Sequence, residues 1–288
     1  MNIHTQLHQA KFKGLDRIDA QLLLLFCLGK SQSDRAWLIA HDDAVVDSAI
    51  AQHFTALCQQ RLNGVPLAYL VGEKPFFGIN LHVDARVLVP RPDTETLVDW
   101  ALSIQATRTV LDLGTGSGAI ALAIKHTQPE WKVTAIDYSA EALDVARDNA
   151  SRLGLDVDFM QSAWFDALKT EHENARFDLT KFDLIISNPP YIANDDPHMA
   201  ALKHEPKQAL TSGDEGLDDI RRIIQDAPAF LNPDGWLLLE HGYDQSPKVR
   251  ALLESQGFSQ VCSKLDLAGI ERCTGGQWLL QTLRTENC

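Results

Sequence analysis

Val110-Leu111-Asp112-Leu113-Gly114-Thr115-Gly116-Ser117-Gly118 is the stretch that decides the fold. Its first four residues form a short apolar run broken only by Asp112, the pattern of a strand buried in a parallel sheet. Three glycines at alternate positions then let the backbone turn tightly and approach a ligand closely, and an apolar helix from Ala119 to Ile124 follows. Next comes Val133-Thr134-Ala135-Ile136-Asp137, a second strand that ends in a carboxylate about 20 residues past the loop. An acid at that place can accept both hydroxyls of a ribose. Strand, glycine loop, helix and strand make one unit of an α/β fold with a parallel sheet.

The rhythm continues along the chain. A helix is expected from Ala140 to Leu153, then a short strand over Val157-Asp158-Phe159-Met160, followed by Ser162-Ala163-Trp164-Phe165. Trp164 is either a core residue or the flank of a planar base. Residues 169–181 are polar and read as a mobile insertion. Phe182-Asp183-Leu184-Ile185-Ile186-Ser187 is a further buried strand. A helix from Leu217 to Phe230, a strand at Gly235–Glu240 and a helix around Val249–Glu254 come next. Val261–Leu267 and Gln277–Leu283 close the count as an antiparallel pair at the sheet edge.

Directly after the strand at 182–187 stands Asn188-Pro189-Pro190-Tyr191. Two prolines end a strand, because proline lacks the amide donor and fixes φ, and each pushes the residue before it out of helical space. The result is a rigid rim carrying a side-chain oxygen, backbone carbonyls and an aromatic face. It suits a planar, neutral amide or amine, whose hydrogens go to the oxygens while its plane lies against the ring. The alternative is a loop exit in which the prolines serve only as breakers.

Ahead of this α/β region, residues 1–70 read as helical. Ile18, Leu22, Leu25 and Phe26 keep helical spacing, with Gly29 as the C-cap; Ser33-Asp34 begins a short helix through Ile39. Asp47 caps a longer one carrying Ile50, Phe54, Leu57 and Leu62, closed by Asn63-Gly64. His41 and His53 are isolated and read as surface or structural residues. Residues 71–91 read as a β-hairpin linker whose alternating positions run through Ile79–Val83 and Val87–Val89. Pro90-Arg91-Pro92-Asp93-Thr94-Glu95 then starts a helix, with Asp93 or Thr94 as its cap; Arg91 is either near the ligand pocket or only part of a helix start.

Composition narrows the function. The chain of 288 residues is 45% hydrophobic and 23% charged, with a formal net charge of −13. The first 86 residues hold 8 basic and 8 acidic side chains, so the α/β region carries the whole excess of negative charge. A basic footprint for duplex nucleic acid is missing at this level. Cys27, Cys58, Cys262, Cys273 and Cys288 are odd in number and contain no Cys-x-x-Cys, which fits neither a disulfide framework nor a zinc site. No apolar run is long enough for a bilayer, and the amino terminus has no basic-then-apolar signal, so a cytoplasmic location is expected.

The spacing G-x-G-x-G after Asp112, in place of the dinucleotide spacing G-x-G-x-x-G, resembles motif I of class I S-adenosylmethionine-dependent methyltransferases, which seat a zwitterion and no pyrophosphate. Over nearly its full length the chain resembles the release factor glutamine methyltransferase family. The residues that carry this are 90–95, 112–118, Asp137, 162–165, Asn188-Pro189-Pro190-Tyr191-Ile192, Glu205-Pro206 with Ala209-Leu210, and Leu239-Glu240-His241-Gly242. The segment between Pro197 and Glu205 is slightly short for the family, and Gln277 stands where a basic residue is more usual.

The resemblance implies a Rossmann-like domain with a seven-stranded, mostly parallel sheet over 92–288, a β-hairpin linker at 71–91, and a helical substrate-recognition domain over 1–70. It implies S-adenosyl-L-methionine as cofactor, held around Gly114, Thr115, Gly116, Ser117, Gly118, Asp137, Trp164 and Asn188, with no metal. It implies Asn188, Pro189, Pro190 and Tyr191 as the catalytic rim, acting on the glutamine of the Gly-Gly-Gln motif of peptide chain release factors. A monomer without a direct nucleic-acid substrate is expected. The same four-residue motif also occurs in adenine and guanine amino-methyltransferases, so an amino group of DNA or RNA is the alternative acceptor. The chain's own Gly275-Gly276-Gln277 reads as a turn before the last strand, with self-methylation as the other possibility.

Overall fold

The computed structural model describes residues 1–169 and 181–279, and the polar stretch 170–180, the carboxyl-terminal residues 280–288 and Cys288 with them lie outside these. The chain divides into two compact units, Met1–Glu73 and Lys74–Cys288.

The first unit is all-helical, with helices Ile3–Phe12, Arg17–Cys27, Arg35–Ala40, Ser48–Leu62 and Leu67–Val71. Asp47 caps the fourth as expected, its carboxylate accepting the Ala49 amide at 2.8 Å. The second helix differs from its expected face. Ile18 is 48% exposed and Phe26 36% exposed, whereas Ala20, Leu23, Leu24 and Leu25 are buried. Four consecutive leucines satisfy more than one helical stripe, and contact with Phe54, Leu57 and Leu38 selects the stripe that faces inward. His41 stacks on Trp37 at 4.2 Å and His53 meets the edge of Phe26, so neither histidine belongs to a ligand cluster.

The second unit opens with a two-stranded sheet, β1 (Glu73–Phe76) and β2 (Ile79–His82). The hairpin expected within 71–91 is thus present over 73–82, while Val87–Val89, expected to take part in it, forms no strand. Phe77-Gly78 makes the turn, both residues at positive φ. Asn149 clamps β2 to the glycine loop: its amide donates to the His82 and Ser117 carbonyls, and its oxygen accepts the His82 amide.

The main sheet comprises β3 (Thr109–Leu113), β4 (Lys132–Asp137), β5 (Asp158–Gln161), β6 (Phe182–Ser187), β7 (Leu231–Glu240), β8 (Ser259–Leu265) and β9 (Glu271–Trp278). Their order is β5-β4-β3-β6-β7-β9-β8, parallel from β5 to β7, with β9 antiparallel to both β7 and β8. The last strand thus begins earlier than the expected Gln277–Leu283. Alternation along β3 sends Leu111 and Leu113 into a core with Ile220, Ile223, Phe230 and Val249, and turns Asp112 toward helix Ala119–Thr127. The helix expected to reach Phe230 ends at Asp226, where Pro228 enforces a tighter turn over Ala227–Ala229.

Gly275 and Gly276 lie within β9, not in a turn. A Cβ on Gly275 would stand 2.4 Å from Leu238 Cδ2, and one on Gly276 would stand 2.9 Å from Phe258 Cβ. Close packing explains both glycines, and the Gln277 amide donates to the Asp234 carbonyl at 2.9 Å. Among the described residues no helix is long and apolar enough to cross a membrane.

Candidate active site

The strand order reverses between β3 and β6, which lie side by side although 74 residues separate Leu113 from Ser187. In open α/β sheets the crevice at the carboxyl ends of such a strand pair is the ligand site. Here the ends are tied together, with Ser187 Oγ donating to the Leu113 carbonyl at 2.6 Å. Gly114 and Asn188, the next residue of each strand, are thereby brought to one edge.

The glycine loop is held from within. The amides of Gly114 and Thr115 both donate to the Ile136 carbonyl, at 2.8 and 2.9 Å, and the Gly116 amide donates to Asp137 Oδ2 at 2.8 Å. Gly114, Gly116 and Gly118 all have positive φ, between 57° and 83°. With the amides of Gly114, Thr115 and Gly116 engaged, the loop offers a ligand carbonyl oxygens and the space above glycines. That chemistry suits a cationic group better than a phosphate, which wants free amides.

Thr115 and Ser117 are buried, and Thr115 Oγ1 donates to Asp112 Oδ2 at 2.6 Å. Asp112 also accepts the Ala121 amide, and burial pushes its carboxyl up to about 7. Asp137 is half-buried, and its second oxygen accepts the Ser139 amide at 2.8 Å. Burial raises its carboxyl above the ordinary value, while those backbone amides oppose the rise.

A cavity of about 210 Å³ opens here, lined by Gly114, Tyr138, Ser162, Ala163, Trp164, Pro190, Gln208 and Asp219. Trp164 packs against the core and also walls the cavity. Its indole donates to Asp219 Oδ1 at 3.0 Å, which sets the plane of the ring. Tyr138 and Asp219 were not among the expected site residues. Tyr138 had a signal, being next to the strand-end Asp137, whereas Asp219 is 55 residues from Trp164 and had none.

A second cavity, about 310 Å³, lies on the other side of the rim and is lined by Arg91, Asn188, Tyr191, Ile192 and Leu210 among others. Arg91 therefore sits by Asn188 and does not line the Gly114 cavity. It pairs with Glu205 at 2.6 Å, and Glu205 also accepts the Val89 amide. The chain leaving the rim is anchored by Ile192, which exchanges backbone bonds with Leu210 and Ser212. Gln245 Nε2 donates to the Tyr191 carbonyl at 3.0 Å.

Thr94 makes no side-chain cap for the helix Glu95–Ser103. Its hydroxyl instead accepts from Asn188 Nδ2 at 3.1 Å. Tyr191 Oη donates to Glu240 Oε1 at 3.3 Å. Glu240 closes β7 and is buried, which pushes its carboxyl up to about 7; the Thr94 and Tyr191 hydroxyls and Arg272 oppose that rise, and Asp93 adds to it. A carboxyl with a raised value is protonated more readily in the folded chain, so its contribution to stability is full below about 4.5 and is lost as pH climbs through about 7. Glu240→Gln should flatten that dependence. Thermal midpoints should show a wild-type advantage that shrinks from pH 5 to pH 8; a constant gap would contradict the assignment.

His241 is not paired with Glu240 for acid–base work. Its Nδ1 faces the Gly242 carbonyl and must donate, so Nε2 accepts from Thr274 Oγ1 at 2.7 Å. Burial lowers its pKa, which keeps the ring neutral and structural.

A family profile for the methyltransferase small domain matches residues 92–216, and one for the PrmC N-terminal domain matches residues 3–72. The release factor glutamine methyltransferase of Xylella fastidiosa is 46% identical over 269 residues, spanning 91% of this chain and 94% of that relative. The protein of the same name from Pseudomonas aeruginosa is 45% identical over 267 residues, spanning 91% and 92%. Among solved structures, a methyltransferase from Pyrococcus furiosus is similar at a TM-score of 0.55 and 18% identity, covering 77% of this chain and 100% of its own, a likeness of fold.

Proposed function

The chain belongs to the release factor glutamine methyltransferase family, and from that membership we propose that it moves a methyl group from S-adenosylmethionine to the side-chain amide nitrogen of a release factor glutamine, within a Gly-Gly-Gln motif. The observation that carries this reading is one rim between two cavities. Pro190 lines the cavity of Gly114 and Trp164, while Asn188 and Tyr191 line the other. The cofactor occupies the first and the glutamine amide enters the second.

In the cofactor cavity the glycine-loop backbone holds the methionine part, Asp137 takes the ribose hydroxyls and Trp164 flanks the adenine. Asp137→Ala should weaken cofactor binding by about 10–100-fold, the range for hydrogen bonds to a charged group. An unchanged affinity by calorimetry would remove Asp137 from the site.

On the acceptor side an amide nitrogen is a poor nucleophile, because its lone pair is delocalised into the carbonyl. The Asn188 side-chain oxygen and the Pro189 carbonyl each accept one of its hydrogens, turning the lone pair toward the sulfonium methyl. Tyr191 packs beside the amide. No strong base is needed before attack, since the methylated nitrogen becomes acidic and loses its proton readily. The helical unit serves substrate recognition, and the chain acts as a cytoplasmic monomer on protein, not on nucleic acid.

The test offers labelled S-adenosylmethionine with release factor, a Gly-Gly-Gln→Gly-Gly-Ala version of it, and total RNA and DNA. Label on the first protein alone is expected. Label on nucleic acid would hand the acceptor pocket to a base amino group.

A further inference from the structure

We propose that Arg91, held and neutralised by Glu205, grips the main chain of the acceptor peptide by donating to a backbone carbonyl of its Gly-Gly-Gln segment. The inference rests on the reading of the acceptor cavity given above, and adds the residue that fixes the peptide beside the reacting amide.

Arg91 is set in place by its neighbours along the chain. It stands between Pro90 and Pro92, and the second proline keeps it out of helical space; its φ of −95° and ψ of 143° are extended. Its side chain is 36% exposed and lines the cavity of Asn188 and Tyr191. Among the described residues its hydrogen bond is the one from Nη2 to Glu205 Oε1, at 2.6 Å. A guanidinium carries five N–H groups, so most of its donors remain for a ligand.

Glu205 is fully engaged. Its Oε1 takes Arg91, its Oε2 accepts the Val89 amide at 3.2 Å, and its side chain is 4% exposed. It too precedes a proline, Pro206, and its own amide donates to the Leu202 carbonyl at 2.9 Å. Glu205 therefore orients the guanidinium and cancels its charge. A lone guanidinium favours a carboxylate or a phosphate. One already paired with a carboxylate brings no net charge, and its spare N–H groups suit a neutral carbonyl oxygen.

The rest of the lining says which carbonyl. Leu88, Ile192, Leu202 and Leu210 make the walls apolar, and a peptide carbonyl buried among them needs a donor. The side-chain oxygen of the reacting glutamine is the wrong target. A cation there draws the nitrogen lone pair further into conjugation, and that oxygen loses electron density as the nitrogen attacks. Such a bond would favour the ground state over the transition state. Main-chain carbonyls carry no such penalty. Glycines before the glutamine leave the main chain bare, so that it approaches the walls and Arg91 closely.

Arg91→Met removes the donors and keeps much of the length. The expected result is a KM for release factor about 10–100-fold higher, the range for a hydrogen bond to a charged group, with kcat and cofactor affinity unchanged. Because Arg91→Met leaves a buried carboxylate unpaired, the double variant Arg91→Met with Glu205→Gln is measured beside it and should show the same rise. Gly-Gly-Gln peptides with an ester in place of the Gly-Gly or the Gly-Gln amide bond identify the carbonyl. At the one that Arg91 holds, the weaker ester acceptor should raise KM for the wild-type chain and not for the variants.

An unchanged KM in both variants would overturn the proposal. So would a loss confined to kcat, which would put Arg91 on the reacting amide, or ester effects of equal size with and without Arg91. Failure of the underlying reading shows differently: the wild-type chain would leave release factor unlabelled, or would label nucleic acid.

Discussion

Replacing Asn188 with alanine should lower kcat by about 10²–10³, the usual cost of losing one preorganised polar contact to the reacting group. Cofactor affinity should stay close to that of the unaltered chain, because Asn188 lines the cavity with Arg91 and Tyr191 and not the one with Gly114 and Trp164. The size of the effect follows from the chemistry of the acceptor. A free amide keeps its nitrogen lone pair in conjugation, and attack on the methyl requires that pair to leave the amide plane. Oxygens that hold the two hydrogens favour this distortion in the transition state more than in the ground state, so their loss appears in kcat. Asn188 is suited to the task because its strand end is pinned by the Ser187 bond to Leu113 and its amide by Thr94. Single-turnover transfer to release factor, measured beside calorimetry of S-adenosylmethionine, separates the two quantities. Near-normal turnover with cofactor bound would remove Asn188 from the chemistry.

The second large effect is expected at Gly216, well outside the recognised motifs. Its φ is +69°, and a Cβ placed on it would stand 2.1 Å from the Tyr191 carbonyl oxygen and 2.9 Å from Gln245 Nε2. Gln245 uses that nitrogen to bond the carbonyls of Tyr191, Glu215 and Gly216, joining the rim to the 212–217 loop. Gly216→Ala must therefore either move the rim or break this junction. Strain at positive φ together with overpacking against backbone costs about 2–5 kcal/mol. For a unit of this size the melting temperature should fall by about 5–15 °C. Methyl transfer should fall further than stability alone explains, because the displaced atom belongs to Tyr191. A variant that melted and turned over like the original would show that the loop yields without disturbing the rim.

Much of the candidate site is legible in the sequence. The glycine loop could be read because residues held at positive φ favour glycine, and Gly114, Gly116 and Gly118 all adopt it. Asp137 could be read from its distance past the loop, since strand and helix lengths vary little in such a unit. Asn188-Pro189-Pro190-Tyr191 could be read because prolines end a strand whatever surrounds it. Boundaries were less legible where several patterns fit one stretch. The leucines at 22–25 allow more than one buried face, and Val87–Val89 alternates like a strand without finding a partner.

The sequence by itself determined the local pieces: which segments extend, which coil, where the backbone must turn, and which carboxylate and carboxamide end up at strand termini. These follow from short-range sterics and periodicity, which depend on neighbours along the chain. Only the tertiary structure decided that β6 lies beside β3, that Arg91 pairs with Glu205, and that Thr94, Glu240 and Gln245 grip the rim. Those contacts join residues between 49 and 114 positions apart. They depend on how whole elements pack, because any buried polar group will take whichever partner packing brings within reach.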